Sequence, residues 1–336
     1  MIEGLAIGDV TIRGRVFIAP MTGVSDLPFR RAASKLGAPY VATEMVACEA
    51  FAQARPDVLR RAAVGDGLSP MVMQLVGREP HWVAQAAKLS ADAGADIIDL
   101  NMGCPAKEVT GVLSGSALMR DLELAERLIA AAVQATARPV TLKMRLGWDN
   151  DSRNAPELAA RAECCGVMAV TVHGRTRAQF YKGEVDWRAV AEVKSAVRIP
   201  VIVNGDVVDV QTARVALEQS GADAVMIGRG ACGRPWLAPT LGTALATGRE
   251  VSEPDSCERL GIVLDHLRDS VTFYGDSQGL RIFRKHLARY VETAPFPIDH
   301  GKRSAARSAL CRMTSAADVE AALTALWSGE PLRLAA

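Results

Sequence analysis

The sequence predicts a (β/α)8 barrel followed by a small all-helical domain. Three observations carry this: eight short apolar runs, helix-period segments between many of them, and a change of pattern after Pro239. The runs are VFIAP (16–20), YVATEM (40–45), MVMQLV (71–76), ADIIDLN (95–101), PVTLKMR (139–145), MAVTVH (168–173), PVIVNG (200–205) and AVMIG (224–228). Near-continuous apolar strands alternating with helices belong to a parallel sheet covered by helices, and eight such units close a barrel. An open doubly wound sheet is the alternative; against it, no G-x-G-x-x-G follows the first strand.

Taken in order, LAIGDVTI (5–12) reads as a hairpin with Gly8-Asp9 at its turn, suited to plug the N-terminal mouth of the barrel. Helical period marks PHWVAQAAKLSADAG (80–94), LELAERLIAAAVQAT (122–136), WRAVAEVKSAV (187–197) and VQTARVALEQSGA (210–222). TGREVSEPDS (247–256) is a polar linker. Beyond it, residues 260–275, 279–292, 303–313 and 316–327 read as helices. The expected domains are a barrel over 1–245, a linker over 246–256 and a helical domain over 257–336.

With 336 residues, 49% hydrophobic and 23% charged, the chain has the make-up of a globular protein, which excludes disorder-dominated and fibrous classes. A formal net charge of +1 means that nucleic-acid affinity must come from local patches. The seven cysteines form no C-x-x-C pair, which argues against a disulfide framework and a thiolate zinc site, and the five histidines show no paired spacing, so no metal is expected. The start MIEGLAIGDV has neither a basic nor an apolar signal region, and no apolar run reaches about 18 residues. The expectation is a cytoplasmic protein without a membrane span.

Barrel enzymes collect their chemistry where the C-terminal strand ends converge. Those ends supply Pro20, Met21 and Thr22; Glu44; Gln74; Asn101 with Cys104; Lys143 with Arg145; His173 with Arg175; Asn204, Gly205 and Asp206; and Gly228 with Arg229. The glycines at the last two ends let backbone N–H groups approach a phosphate, and Arg229 adds charge. Lys143 would carry an ammonium into the mouth, which is costly without an anionic partner. It suits either a Schiff-base lysine or a cation facing the N1/O2 side of a flavin. Cys104, in N-M-G-C-P, is placed to donate a proton or to act as a nucleophile. In the tail, eight basic residues between 281 and 312 face only Glu292 and Asp299; Arg281, Arg284, Lys285 and Arg289 recur at helical spacing as one face, with Tyr290 nearby for stacking. Such a face suits a polyanion, and RNA better than a small metabolite.

A-P-M-T-G (19–23), N-M-G-C-P (101–105), L-K-M-R-L-G-W (142–148), V-H-G-R-T (172–176), V-N-G-D (203–206), M-I-G-R-G (226–230) and F-R-K-H (283–286) together resemble the tRNA-dihydrouridine synthase family, in particular its bacterial B-type branch. N-M-G-C-P is highly family-specific, whereas V-N-G-D and I-G-R-G occur in many phosphate-binding barrels. One departure is Glu108, where the commoner family text has a second lysine, which removes a positive charge beside the RNA-facing loop. The resemblance implies an FMN-bound barrel, a helical tRNA-binding tail and NADPH-driven reduction of the C5=C6 bond of uridines in the D-loop of tRNA. It places Pro20, Met21, Thr22 and Gln74 along the isoalloxazine and Lys143 at its N1/O2 edge. Asn204, Gly205, Asp206, Gly228 and Arg229 would hold the ribityl phosphate, and Cys104 would be the acid. Asn101 and His173 would hold the uracil edge and the flavin, Arg145 and Arg175 the substrate, and Arg281, Arg284, Lys285 and Arg289 the tRNA body. The expected partner is tRNA, and the expected state a monomer. A barrel acting on a small pyrimidine such as dihydroorotate, a Schiff-base aldolase and a non-catalytic RNA-binding protein are the competing functions.

Overall fold

The computed structural model describes residues 4–65, 67–295 and 299–329; the outermost residues of both predicted domains, 1–3 and 330–336, lie outside them. A hairpin opens the chain: β1 (Leu5–Ile7) and β2 (Val10–Ile12) pair antiparallel through the two-residue turn at Gly8-Asp9, where Gly8 takes a φ of 61°. Nine parallel segments follow, β3 (Val16–Ile18), β4 (Val41–Ala42), β5 (Val46–Ala47), β6 (Met71–Val76), β7 (Ile97–Met102), β8 (Val140–Arg145), β9 (Ala169–His173), β10 (Val201–Asn204) and β11 (Ala224–Ile227). Their order, β4-β3-β11-β10-β9-β8-β7-β6, is closed by pairing of β4 with β6, which makes an eight-stranded barrel.

The run predicted as one strand over 40–45 is a strand only at β4, with a second short piece, β5, just beyond its end, and the reason is local. Gln74 donates its backbone N–H to Thr43 Oγ1 (3.0 Å) while Thr43 Oγ1 donates to the Glu44 carbonyl (2.7 Å). A side chain therefore stands in for a ladder carbonyl, and pairing resumes at β5, against the far end of β6.

Helices α1 (Leu27–Lys35), α2 (Cys48–Ala52), α3 (Pro56–Arg61), α4 (Pro80–Asp92), α5 (Lys107–Thr110), α6 (Leu122–Gln134), α7 (Ala155–Cys164), α8 (Arg188–Ala196), α9 (Val210–Ser220) and α10 (Leu237–Thr247) lie on the connections between strands and after β11. Outward-facing strand residues such as Ile98, Leu142 and Val203 pack with Ala86, Leu128 and Leu158 of these helices in one core. Inward-facing residues alternate with them and change character with height. At the bottom Phe17, Tyr40, Val72, Ile97, Ala169, Ile202 and Ala224 pack on Ile7 and Ile12 of the hairpin. One step up lie Gln74, Asp99, Thr141 and Thr171, and above them Asn101, Lys143, His173 and Asn204. The hairpin thus plugs the lower mouth, as its sequence predicts.

The tail consists of α11 (Ser256–Tyr274), α12 (Asp276–Thr293), α13 (His300–Arg312) and α14 (Ala316–Trp327). Asp255 starts it with a reciprocal cap: its carboxylate accepts from the Glu258 N–H and the Glu258 side chain accepts from its own N–H. Trp236 and Leu36 of the barrel join Leu267, Phe283, Leu287 and Leu323 in the tail core, and Arg31–Asp269 (3.0 Å) and Lys35–Asp265 (2.8 Å) pair across the junction. The segment predicted as a linker is anchored, since Glu253 pairs with both Arg234 and Arg259 and accepts from Trp236 Nε1. Among the described residues no helix is long and apolar enough to cross a membrane.

Ile12 is fully buried on the barrel floor. Its replacement by alanine is expected to cost about 2–5 kcal/mol through lost burial and a residual cavity, read as a lower urea midpoint; a change below about 0.5 kcal/mol would show that the hairpin is dispensable to the core.

Candidate functional site

The upper barrel is lined by charge and amide groups that hold one another in place. Asp99, fully enclosed, accepts from Gln74 Nε2 (2.6 Å) and Thr141 Oγ1 (2.7 Å); Gln74 Oε1 in turn accepts from Asn101 Nδ2 (2.8 Å). Burial raises the Asp99 carboxyl above its ordinary value, and those two hydrogen bonds with the nearby Lys143 charge work against that rise. Asn101 Oδ1 accepts from the N–H groups of Gly103 (3.1 Å) and Cys104 (2.9 Å). The amide predicted to touch uracil therefore shapes the turn that presents Cys104. The Cys104 carbonyl is held by Ser116 Oγ (2.8 Å), and the thiol is pushed up by partial burial, with Arg145 and Lys143 opposing. A raised thiol stays protonated at neutral pH, which suits a proton donor better than a thiolate nucleophile.

Lys143 rises from β8 between Asn101 and Thr171, and its Nζ donates to Asn204 Oδ1 (3.1 Å). Desolvation, then repulsion from Arg145, lowers the ammonium to about 8. The same Asn204 oxygen meets His173 Nδ1 (2.9 Å), and Asn204 Nδ2 donates to the Met226 carbonyl (2.8 Å). His173 is held well below its usual range by burial and by the Arg145 and Lys143 charges, so its ring is neutral, with Nδ1–H donated to Asn204. Its buried Nε2 has no protein partner.

Two predicted substrate arginines are committed elsewhere. Arg145, 2% exposed, donates to the carbonyls of Gly103 (2.8 Å), Thr176 (2.9 Å) and Phe180 (2.8 Å), so it ties the Cys104 turn to the loop after β9. Arg175, also 2% exposed, donates to the Gly183 carbonyl and pairs with Asp206. Both act here as loop ties.

The ends of β10 and β11 are the candidate anion cradle. Gly205 sits at φ 126°, and a Cβ there would meet Val185 at 2.6 Å, so only glycine fits; a Cβ at Gly228 would meet nothing within 4 Å, which leaves open space beside that backbone. Asp206 is turned away from the cradle into Arg175 and Arg229 (2.9 Å), and the Arg175 bond first of all keeps its carboxyl below the ordinary range. It orients Arg229, whose exposed guanidinium also lies over the Tyr181 ring (5.4 Å). Pro20, Met21 and Thr22 form the loop after β3, where Ser25 exchanges hydrogen bonds with both the N–H and the carbonyl of Met21.

In the tail the predicted basic face divides. Arg281, Lys285 and Arg289 are exposed at four-residue spacing on α12, and Lys285 Nζ reaches Gly23 at the rim. Arg289 and Arg229 both lie close enough to Cys232 to perturb its thiol. Arg284 is turned inward to the Met313 carbonyl (3.0 Å), and Tyr290 is buried against His266 Nδ1 (3.0 Å), so the expected stacking role of Tyr290 falls away. The sequence reading missed Asp99, Thr141 and Tyr181. Period-two spacing could have found the first two, each two residues before a selected position; Tyr181 lies in a loop with no periodic signal.

A profile of the dihydrouridine synthase family matches residues 17–325. The "Probable tRNA-dihydrouridine synthase" of Rhodobacter capsulatus is 52% identical over 285 residues, covering 84% of this chain and 88% of that protein. The "tRNA-dihydrouridine synthase B" of Xanthomonas axonopodis pv. citri is 45% identical over 296 residues, covering 88% and 89%. Among solved structures, morphinone reductase superposes with a TM-score of 0.55 at 15% identity, covering 77% of this chain and 92% of that one, a likeness of fold.

If the Lys143 ammonium is buried at a cost, Lys143→Met without ligand should melt higher than the parent protein at pH 7. The folded pKa lies below the unfolded one, so the parent gains stability as pH rises from about 8 to about 10.5, and the gap should close across that window. A gap independent of pH would remove the buried charge as its cause.

Proposed function

Because the chain belongs to the dihydrouridine synthase family, we propose that it reduces the C5=C6 bond of uridines in the D-loop of tRNA, with FMN bound in the barrel mouth and NADPH as electron donor, in the cytoplasm. The observation that carries this reading is the pairing of a protonated thiol at Cys104 with a buried cationic wall at Lys143 in one mouth. Family membership sets aside the aldolase reading of Lys143.

The residues fit the cofactor. His173 Nε2 is a buried polar atom without a protein partner, the Lys143 ammonium has only a neutral amide to meet it, and a Cβ at Gly228 would meet nothing within 4 Å. Lys143 and His173 would face the polar edge of the ring, Pro20, Met21, Thr22 and Gln74 would line it, and Gly205, Gly228 and Arg229 would hold the phosphate, with Asn204 and Asp206 orienting these groups. Bound FMN supplies hydride chemistry, carrying electrons from NADPH to uracil C6. Lys143 would set its ammonium against that polar edge, where it offsets negative charge. Cys104 gives its thiol proton to C5, and the Asn101 and Ser116 contacts to its backbone hold the turn in place while it does so. Arg145 and Arg175 keep the surrounding loops in register.

Reaching C5 and C6 requires the uridine to leave its stack, which costs a few kcal/mol that contacts to the tRNA body must offset. Lys285, Arg289 and Arg281 lead along α12 from the rim, and Lys285 stands over the loop after β3. With Arg284 folded inward, the RNA-facing set on α12 narrows to these three.

Cys104→Ala should leave reduction of the flavin by NADPH intact while slowing its reoxidation by tRNA by about 10²–10⁴-fold. Equal loss in both half-reactions would refute the proton-donor role. For the tail, Lys285→Ala and Arg289→Ala should each weaken tRNA binding and lower the salt slope by about one, whereas Arg284→Ala should lower the melting temperature and leave the slope unchanged. Filter binding between 50 and 200 mM salt separates these outcomes.

A further inference from the structure

Beside α1, where the tail docks, three side chains from distant parts of the chain converge, none of them among the residues assigned to the mouth. Asp26 caps α1, its Oδ1 accepting from the Phe29 N–H (3.1 Å); His266 comes from α11 and His286 from α12. They are 3%, 1% and 2% exposed. One donor atom from each lies within 4.8 Å of the others, and Asp26 Oδ2, His266 Nε2 and His286 Nε2 are buried with no hydrogen-bond partner. Each such orphaned group is destabilising unless something meets it.

The chemistry of the set is specific. His266 Nδ1 is bonded to the Tyr290 hydroxyl (3.0 Å), which aims Nε2 inward, the arrangement by which ligating histidines are oriented. Phe29 stacks on the His286 ring (5.4 Å between centroids, 14° between planes), and Phe283 meets the edge of His266 (5.1 Å, 84°). His286 Nε2 is 3.9 Å from Asp26 Oδ1, too far for a hydrogen bond. Half-buried Tyr274 lies close enough to Asp26 to perturb its carboxyl, and its hydroxyl is the next oxygen donor. Two imidazoles and one carboxyl group in a dry, closed shell match zinc, and not the all-oxygen preference of calcium or magnesium.

We propose that Asp26, His266 and His286 bind one zinc-class divalent cation that fastens the helical tail to the barrel. Bonds of about 2.0–2.1 Å place tetrahedral ligands about 3.3 Å apart, so the three side chains draw together around the ion. The site is closed to solvent, hence structural, and it would hold α11 and α12 against α1 and so keep Lys285 over the rim. Sequence spacing conceals it: the two histidines are twenty residues apart on separate helices, and the carboxylate comes from the other end of the chain.

The test uses the tag-free full-length protein, exposed to Zn2+ and then exhaustively dialysed. Elemental analysis should find about one zinc per chain, and zinc-edge X-ray absorption should show a nitrogen and oxygen shell without sulfur. A chelator should lower the melting temperature and Zn2+ should restore it. His286→Gln and His266→Gln should lose the metal and the response to Zn2+. A parent protein that stays metal-free after exposure, a sulfur-containing shell, or full metal retention in both variants would overturn the proposal. None of these readings depends on the flavin or on tRNA.

Discussion

A half-buried ammonium that meets only an amide oxygen is the constraint around which the upper barrel is arranged. Lys143 leaves water at a cost that its hydrogen bond to Asn204 does not remove. The groups around it limit that cost. Asp99, one layer below and fixed by Gln74 and Thr141, contributes a stabilising charge from beneath; Arg145, which would repel it, is drawn by three carbonyls toward the neighbouring loops. His173 cannot take up a proton beside it, and so remains a neutral ring fixed through the same Asn204 oxygen. The result is a positive, preorganised cup with the proposed acid, Cys104, on the adjacent strand end. The apolar floor, with the hairpin beneath it, supplies the burial that lets such a destabilised layer persist.

The tail and the mouth form one surface because the docking is specific. An apolar core continuous from Trp236 to Leu323 fixes the helices, and the two ion pairs on α1 add little by themselves, being exposed. The consequence is geometric: α12 runs beside the barrel rim, so cations that would grip a polyanion stand next to the groups that would act on one base of it. In the proposed reaction the energy of RNA contact and the chemistry of the flipped base are thereby coupled through a rigid junction.

The barrel was legible because strands buried on both faces leave uninterrupted apolar runs, and the strand-end rule then points to their terminal polar residues. Seven of the eight runs became single strands; 40–45 is a strand only at β4 because Thr43 substitutes a hydroxyl for a ladder group, which composition does not show. Cys104, Lys143 and His173 were readable as members of one mouth, since parallel topology alone brings strand ends together. Directions of side chains were not readable: Arg145, Arg175 and Arg284 have the residue type and spacing of ligand contacts, yet each turns to backbone carbonyls of loops that no local pattern places nearby. Tyr290 has the spacing for surface stacking, but the third tail helix and His266 cover it. The Asp26, His266 and His286 cluster has no sequence signature, because it exists only once α11 and α12 lie on α1.

The most direct measurement is anaerobic: reduce the flavin-loaded protein with NADPH, then add tRNA lacking dihydrouridine, free uridine or orotate in separate runs, and follow the return of oxidised-flavin absorbance. Rapid reoxidation by tRNA with none by the free pyrimidines is expected if the rim of α12 and the mouth act as one site. Reoxidation by the small pyrimidines alone, or a protein that takes up no flavin, would contradict it.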